Sequence, residues 1–307
     1  MLSIRTSTLF PDERPDYIFV FGADHIYRMD PRQMLDQHIA SGAGVTVAAL
    51  RMARSDASAF GVIDRGEGTQ LAQFLEKPAD PPGLQDSPDE SLVSMGNYVF
   101  DADTLVAALE ADANDPDSRH DIGGDLIPRL VKENRAHVYD YSTNRVPGDT
   151  ELQRGYWRDV GTLDAYFDAN MDLVQPLPRF SLYNDSWPIF THWRALPPAK
   201  FVRDGERNPS VVNTIVSNGA ILSGCDVFEG ILAPGVRVGR DATLEGAVLL
   251  DDVNIGEGAI VKRAVIDKNV VVPAKCRIGV DEEEDRARGL MISDGGVVTV
   301  PKNYRFA

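Results

Sequence analysis

The sequence predicts an α/β domain followed by a parallel β-helix, and two observations support this fold class. In the first half of the chain, short apolar runs alternate with segments that carry helix-start and helix-stop residues. In the second half, aliphatic residues return at a fixed interval that matches no α-helix. The length of 307 residues fits about two domains.

The elements of the first half follow from local signals. Residues 17–21 form a continuous apolar run, which is typical of a strand covered on both faces. A helix follows, with Asp30 as its N-cap, Pro31 at its first position and Gly42 at its end. The alternation predicts a mainly parallel sheet with helices on both faces, in which ligands bind at the carboxyl ends of the strands. Further strands are predicted at residues 45–50, 73–75, 93–100 and 136–141, and further helices at 104–110, 125–133 and 162–174.

A proline-rich segment separates the two halves. Residues 175–210 contain six prolines and two tryptophans, so no long regular helix is expected there. We interpret this segment as an ordered linker. The predicted domains are therefore residues 1–174 and residues 211–307.

The β-helix is predicted from an internal repeat. Within each set of three aliphatic residues the step is six, and each set returns after 17 residues. Short strands that each point one aliphatic residue inward, three to a coil, have this period, so we expect a left-handed parallel β-helix of hexapeptide repeats. A β-sandwich with chance spacing is the alternative. The four sets are Ile215, Ile221 and Val227; Leu232, Val238 and Leu244; Leu249, Ile255 and Val261; and Ile266, Val272 and Ile278.

The composition excludes several classes of protein. The net charge is −16, and a surface of this sign repels phosphate backbones, so no nucleic-acid partner is expected. No apolar run reaches the roughly 18 residues of a membrane span, and the start, MLSIRTSTLF, lacks the pattern of a signal peptide. Cys225 and Cys276 lie 51 residues apart, three repeats of the β-helix, and are too few for a disulfide framework. The chain is therefore predicted to be cytoplasmic, with no membrane partner.

Two carboxylates follow predicted strands and are candidate metal ligands. Asp24 follows the apolar run at 17–21, and Asp159 lies between a strand end and the helix that begins at Thr162. Mg²⁺ prefers one or two carboxylates together with phosphate oxygens, so one ion could bind both residues. Each residue taken alone is more typical of a turn or a helix cap, and their spacing in the sequence does not show that they converge.

A second candidate site lies at the end of the strand at 73–75. Glu76 and Lys77 are adjacent there, and such a pair suits a sugar phosphate because a carboxylate accepts from hydroxyls and an ammonium group binds phosphate. A solvated strand end is the alternative. Ser94 and Gly96 lie inside the strand at 93–100, where a glycine often marks the close approach of a ligand or of backbone.

Seven stretches of the sequence together resemble one enzyme family. They are GADHIYRMD (22–30), SAFGVI (58–63), FLEKP (74–78), SMGNYVFD (94–101), HDIGGDLIP (120–128), YWRDVGTLDAY (156–166) and LPPAKFV (196–202). In this order they resemble the glucose-1-phosphate adenylyltransferases of bacterial glycogen synthesis. The resemblance covers nearly the whole chain and implies a Rossmann-like nucleotidyltransferase domain before the β-helix.

The resemblance implies a reaction and roles for individual residues. The family transfers the adenylyl group of ATP to α-D-glucose 1-phosphate, which gives ADP-glucose and pyrophosphate. By their motifs, Asp24 and Asp159 are implied to be the catalytic pair and to hold Mg²⁺. The residues implied to bind glucose 1-phosphate are Lys77, on the phosphate, and Glu76, Ser94 and the backbone of Gly61, on the sugar.

The resemblance also implies regulation and assembly. The family binds an allosteric anionic metabolite through basic residues at the end of the β-helix. The nearest basic residues in this sequence are Lys268 and Lys302. A homotetramer is expected.

One motif of the family does not occur in these 307 residues. The family begins with a Gly-rich loop, GGxGxRLxPLT, whose backbone amides bind the triphosphate, whereas only isolated Gly-x-Gly pairs, at 42–44, 66–68 and 256–258, occur here. We therefore expect a domain truncated at its amino terminus and inactive alone. The alternative is a non-catalytic remnant, or an oligomerisation or regulatory subunit, that binds sugar phosphate. A hexapeptide acyltransferase is disfavoured because all five histidines precede the repeat.

Overall fold

A computed structural model describes residues 13–306 of the chain. These residues form two compact units, residues 13–23 with 27–157 and residues 24–26 with 158–306. The strands up to residue 159 are β1 (Tyr17–Val20), β2 (His25–Tyr27), β3 (Val45–Ala53), β4 (Gly61–Arg65), β5 (Leu71–Glu76), β6 (Glu90–Asp101), β7 (Ala136–Asp140) and β8 (Trp157–Asp159). The helices up to residue 173 are α1 (Pro31–Ser41), α2 (Ala102–Ala113), α3 (Ile127–Lys132) and α4 (Leu163–Leu173), with 3-10 turns at Ala57–Ala59 and Tyr141–Thr143 and a π-helix at Ile122–Leu126.

The first unit is built on a six-stranded sheet. Its strand order is β5-β4-β6-β3-β7, and β1 pairs with β6. The pairs β1–β6, β3–β6, β4–β5 and β4–β6 are antiparallel, and β3–β7 is parallel. The α/β class is confirmed, but the prediction of a mainly parallel sheet is wrong for the described strands, because β4, β5 and β6 follow one another without an α-helix between them.

The local signals predicted α1 well and the burial of β1 less well. The side chain of Asp30 caps α1 by accepting from the backbone N–H of Arg32, and Gly42 ends the helix with φ 64°. Strand β1 forms as expected, but Tyr17 is 36% exposed and Phe21, just after it, is 45% exposed. No residue of β1 is fully buried, so the strand is not covered on both faces as the apolar run predicted.

The second unit is a solenoid of short strands that pair in parallel, apart from an antiparallel hairpin of residues 291–292 with 298–300 near its end. Two sheets run along it, one in the order β10-β12-β14-β16-β20-β19 with β18 beside β16, the other in the order β17-β15-β13-β11-β9. Leu232, Leu249 and Ile266 stack in register, and so do Val238, Ile255 and Val272. Its elements are β9 (Lys200–Val202), β10 (Ser210–Val216), β11 (Ile221–Ser223), β12 (Asp226–Leu232), β13 (Arg237–Val238), β14 (Thr243–Leu249), β15 (Asn254–Ile255), β16 (Ile260–Ile266), β17 (Val271–Val272), β18 (Arg277–Ile278), α5 (Glu282–Ala287), β19 (Met291–Ile292) and β20 (Val298–Val300).

The repeat is confirmed from the second coil onward and shifted by one residue in the first coil. Leu222, not Ile221, pairs with Val238, and Val216, not Ile215, pairs with Leu232. Leu222 is fully buried. The first coil is one residue shorter than the others, so the 17-residue spacing selected Ile215 and Ile221 in place of their neighbours Val216 and Leu222. Strand β9 also lies inside the predicted linker and pairs with β11.

The two cysteines occupy equivalent places in the solenoid, as their spacing predicted. One backbone hydrogen bond recurs along the solenoid at the positions of the cysteines. The N–H groups of the first residues of β10, β12, β14 and β16 donate, in that order, to the carbonyls of Cys225, Ala242, Ala259 and Cys276. Both cysteines are free thiols. Burial raises the pKa of Cys225 to about 11 and also raises the pKa of Cys276, so neither is activated as a nucleophile. Among residues 13–306, no helix has the length and apolarity needed to cross a bilayer.

Candidate functional site

Asp24 and Asp159 converge, although 134 residues separate them in the sequence. A carboxylate oxygen of each and a ring nitrogen of His25 all lie within 4.8 Å of one another. The side chain of Asp24 is 58% exposed, and that of His25 is 14% exposed. His25 Nε2 lies 3.4 Å from Asp24 Oδ1. We call Asp24 and Asp159 the carboxylate pair.

The backbone around β2 and β8 brings the carboxylate pair together. The two strands form a two-stranded sheet, and the N–H of Val160 donates to the carbonyl of Asp24 at 2.9 Å. Asp159 Oδ1 accepts from the N–H of Gly161 at 2.8 Å, which fixes its side chain in a tight turn. A Cβ at Gly161 would lie 3.1 Å from Asp159 Oδ1 and 3.4 Å from Asp24 Oδ2. The glycine therefore leaves space beside both carboxylates.

The donors around the carboxylate pair fit a divalent cation. Two carboxylates supply the hard oxygen ligands that Mg²⁺ and Mn²⁺ prefer. Like charges at this separation repel each other, and a cation between them removes the repulsion. The accessible side chain of Asp24 leaves coordination positions for water or phosphate oxygens. His25 adds an imidazole nitrogen at the edge of the site, and the sequence did not indicate this third donor.

The predicted sugar-phosphate residues meet at one end of the first unit's sheet. Gly61 begins β4 and pairs with Glu76, which ends β5. A Cβ at Gly61 would lie 3.2 Å from Glu76 Oε2, and a Cβ at Gly123 would lie 2.8 Å from the same oxygen. Glu76 is exposed as a residue, yet one of its carboxylate oxygens packs closely against two glycines. We call Glu76, Gly61 and Gly123 the glutamate cradle.

The charges near the glutamate cradle differ in sign. Partial burial raises the pKa of Glu76 above its usual value, and the carboxylate of Asp121 raises this pKa further. Lys77 and Arg119 act in the opposite direction. Lys77 has φ 46°, so the chain leaves β5 in the left-handed region at this residue. Two cations and two carboxylates therefore lie in this region, so it offers both acceptors for hydroxyl groups and positive charge for a phosphate.

Ser94 is buried inside β6 at an irregular point of the sheet. Its Oγ accepts from the N–H of Gly96 at 3.1 Å, and Gly96 has φ 70°. The register of β3 against β6 shifts here, since Val47 pairs with Tyr98 and Ala49 pairs with Ser94. Burial raises the pKa of Tyr98 to about 12, against the opposing effect of a hydrogen bond with Ser94. Glu76 and Asp121 raise the pKa of Tyr98 further. Val62 pairs with Val93 in the antiparallel pair of β4 and β6, so Ser94 and Gly61 occupy neighbouring positions of the sheet.

Sequence reasoning missed four residues in or beside the glutamate cradle as site residues, namely Arg119, Asp121, Gly123 and Gly124. Asp121 caps the π-helix by accepting from the N–H of Gly124 at 2.6 Å. Gly123 borders Glu76, and a Cβ at Gly124 would lie 2.6 Å from the Arg119 guanidinium. The stretch HDIGGDLIP contributed to the family resemblance, and its adjacent glycines were the available signal for a close backbone approach.

The two lysines implied for an anion site lie at the ends of neighbouring solenoid strands. Lys268 follows β16 and Lys302 follows β20, and these strands pair in parallel. The N–H of Asn303 donates to the carbonyl of Lys268 at 3.4 Å, so the two segments meet at their backbones. Lys268 Nζ lies 3.4 Å from Asp251 Oδ2, and Lys302 is exposed.

Two family models match the chain, one for each half. A model described as nucleotidyl transferase matches residues 3–176. A model described as GlmU-like, C-terminal hexapeptide, matches residues 197–300. The second match agrees with the parallel coils seen from β9 to β20.

Curated relatives match almost the whole chain. A glucose-1-phosphate adenylyltransferase of Frankia casuarinae is 56% identical over 298 residues, 96% of this chain and 72% of the relative. The enzyme of the same name from a Parafrankia species is 56% identical over 302 residues, 97% of this chain and 73% of the relative. The one from Cutibacterium acnes is 53% identical over 294 residues, with coverages of 96% and 71%.

Proposed function

The chain belongs to the glucose-1-phosphate adenylyltransferase family of nucleotidyltransferases, and from this premise we propose that it binds α-D-glucose 1-phosphate for adenylyl transfer from ATP. The products are ADP-glucose and pyrophosphate, and the pathway served is glycogen or another α-glucan synthesis. The strongest support is the convergence of Asp24 and Asp159, whose oxygens lie within 4.8 Å of each other.

The carboxylate pair is proposed to hold Mg²⁺. Two carboxylate oxygens with open space beside Gly161 provide ligands from two separate segments of chain. Bound Mg²⁺ supplies charge neutralisation at the phosphates of the nucleotide. The turn that fixes Asp159 Oδ1 on the N–H of Gly161 holds this oxygen in place before any ligand arrives.

The glutamate cradle is proposed to bind the glucose ring. Glu76 Oε2 packs against Gly61 and Gly123. This packing restricts the side chain of Glu76 and so positions its carboxylate for a ligand. A carboxylate accepts from two sugar hydroxyls, and the buried hydroxyl of Ser94 adds a donor or acceptor. Lys77 is proposed to neutralise the phosphate of glucose 1-phosphate.

The reaction needs positioning and charge neutralisation and no covalent intermediate. A phosphate oxygen of glucose 1-phosphate attacks the α-phosphorus of ATP and forms a new P–O bond. The bond from the α-phosphorus to the bridging α–β oxygen breaks, and pyrophosphate leaves with that electron pair. Lys77 would lower the repulsion between the attacking phosphate and the triphosphate.

The 307 residues contain no GGxGxRLxPLT motif, and this motif provides triphosphate binding in the family. We therefore propose that these residues alone bind glucose 1-phosphate without measurable synthesis of ADP-glucose. A chain extended at its amino terminus by a segment with that motif is expected to gain synthesis. If the extended chain binds both substrates and stays inactive, the non-catalytic alternative is favoured.

Regulation, assembly and location are further parts of the proposal. An anionic metabolite is proposed to bind Lys268 and Lys302, which follow two adjacent strands of the solenoid. A homotetramer in the cytoplasm remains the expectation from the family.

Binding of glucose 1-phosphate by the 307-residue chain tests the sugar-phosphate site. Lys77→Ala is expected to weaken binding by about tenfold to a hundredfold, because a hydrogen bond to a charged group contributes about 1.5–3 kcal/mol. Isothermal titration calorimetry measures the dissociation constant. Lys132→Ala, which removes an exposed lysine of α3, is the control matched for charge. Equal weakening by the two variants, or no binding by the unaltered chain, would contradict the assignment.

A further inference from the structure

Helix α4 is fastened at its first turn to the last hairpin of the solenoid. Asp164 Oδ1 accepts from Ser293 Oγ at 2.5 Å, and Asp164 Oδ2 accepts from the N–H of Gly295 at 3.1 Å. Ser293 Oγ in turn accepts from the N–H of Val297 at 2.9 Å. The hydrogen bond from Ser293 lowers the pKa of Asp164, so the acceptor is a carboxylate at neutral pH. Both oxygens of one side chain are therefore held by one turn between β19 and β20.

This attachment depends on a glycine, and a second contact with the solenoid lies one turn along the helix. A Cβ at Gly295 would lie 2.5 Å from Asp164 Oδ1, so only glycine allows the contact. Arg263, on β16, donates from Nε to the carbonyl of Gly295 at 2.9 Å and lies with its Cζ 4.9 Å from the ring centre of Phe167. Phe167 is 3% exposed and packs with Val248, Val265 and Val297. Residues 164 and 167 share a helix face, so the solenoid holds this whole face of α4.

The same helix end carries the metal carboxylate. Asp159 Oδ1 is bound to the N–H of Gly161, and Thr162 caps α4 by accepting from the N–H of Ala165 at 3.2 Å. Every residue from Asp159 to Asp164 is therefore in β8, in a hydrogen-bonded turn or in the capped first turn of α4. Only three residues, 160–162, lie between the end of β8 at Asp159 and the start of α4, so a displacement of the helix start is expected to move Asp159.

We propose that Asp164 is a positioning residue for the carboxylate pair. By fastening α4 to Ser293 and Gly295, Asp164 sets the distance of Asp159 from Asp24, and the last coil of the solenoid thereby sets the metal affinity. This inference rests on the proposed function, which makes Asp24 and Asp159 metal ligands. It also gives the two implied anion-site lysines a physical connection to the metal. Lys268 follows the strand that carries Arg263, and Lys302 follows the strand that leaves the Ser293–Gly295 turn.

Metal affinity of the 307-residue chain tests the inference without any need for catalysis. Mn²⁺ is the probe, and the free ion is counted by electron paramagnetic resonance during a titration. Asp164→Ala and Ser293→Ala are each expected to weaken Mn²⁺ binding by about tenfold, the lower end of the effect of outer-shell changes on metal sites. The double variant is expected to lose no more than either single variant, because both changes break one contact.

Three controls separate positioning from a general loss of structure. Asp168→Ala removes an exposed carboxylate from the same helix and is expected to leave Mn²⁺ affinity unchanged. Ser293→Thr keeps the hydroxyl and is expected to restore most of the affinity. Glucose 1-phosphate affinity is expected to stay at the unaltered value in every variant, since that site belongs to the other compact unit.

The outcomes distinguish this inference from the function on which it rests. If Asp164→Ala and Ser293→Ala bind Mn²⁺ as tightly as the unaltered chain while Asp159→Asn does not, the positioning role is wrong and the metal site stands. If Asp159→Asn also binds normally, the metal site is wrong and the positioning role falls with it. If the circular dichroism spectrum shows that Asp164→Ala is unfolded, the Mn²⁺ affinities of Ser293→Ala and Ser293→Thr test the positioning role instead.

Discussion

The carboxylate pair and the glutamate cradle are positioned by different physical means. In the carboxylate pair, two backbone segments from distant parts of the sequence bring like charges within 4.8 Å, and a cation bound between them would offset their repulsion. In the glutamate cradle, one carboxylate oxygen lies against two residues that have no side chain, Gly61 and Gly123. The first site is defined by charge and the second by close packing. Substitutions that change charge should therefore damage the first site most, and substitutions that add volume should damage the second.

The largest effect is expected from removing one charge of the carboxylate pair. Asp159→Asn should weaken Mn²⁺ binding by more than about a hundredfold, because changes outside the first ligand shell alone cost up to that factor. In a chain extended to carry the triphosphate motif, turnover should fall by several orders of magnitude while glucose 1-phosphate still binds. Paramagnetic titration measures the first quantity and a coupled pyrophosphate assay the second. Near-normal turnover of Asp159→Asn would contradict the assignment of Asp159 as a metal ligand.

The sequence pointed to both residues of the carboxylate pair but not to their convergence, and it pointed to only part of the glutamate cradle. The rule that ligands bind at strand ends made Asp24 and Asp159 candidates, although a turn or a helix cap was the more typical role of each alone, and the family resemblance then implied metal binding. Their convergence depends on the pairing of β2 with β8, which no local pattern indicates. Glu76 was nominated by its place at the end of β5. Gly123 comes from a π-helix 47 residues later, and its contact with Glu76 depends on tertiary packing.

The same distinction applies to the two folds. The solenoid repeats one local contact, so its period and most of its inward residues could be predicted, and the error was confined to the first coil, where Leu222 and not Ile221 points inward. The sheet of the first unit is set by long-range pairs instead. Strands β5 and β6 were expected in a mainly parallel sheet because the predicted strands and helices alternated, but β4, which was not predicted, pairs antiparallel with both. Periodicity identifies an element but not the direction in which it pairs.

A methyl group at Gly123 should damage the cradle without changing any charge. The Cβ of Gly123→Ala would lie 2.8 Å from Glu76 Oε2, so the carboxylate must move by several tenths of an ångström. Binding of glucose 1-phosphate is expected to weaken by about tenfold, the scale of one misplaced hydrogen bond. Calorimetry with the 307-residue chain measures this, and Mn²⁺ affinity should remain unchanged.

A double variant shows whether Gly123 acts through Glu76. If it does, adding Gly123→Ala to Glu76→Gln should weaken binding no further than Glu76→Gln alone. Fully additive losses would mean that Gly123 contacts the ligand directly or supports a different residue. In either case Mn²⁺ binding by the carboxylate pair is expected to remain unchanged.

The smallest expected effect is the pH dependence that follows from the packing of Glu76. Its pKa is raised in the folded protein, mainly by partial burial, so between the usual and the raised value the folded chain binds more protons at this residue than the unfolded chain does. Stability therefore falls as pH rises through this window, and the destabilisation is fully present above the raised pKa. Glu76→Gln removes the charge and should raise Tm by at most a few degrees at pH 7, with the gain disappearing below the usual pKa of glutamate. Thermal unfolding followed by circular dichroism at several pH values measures the difference. A variant less stable than the unaltered chain at pH 7 would show that the ionised carboxylate is favoured by its surroundings, and close packing would then not be what sets the glutamate cradle apart from the carboxylate pair.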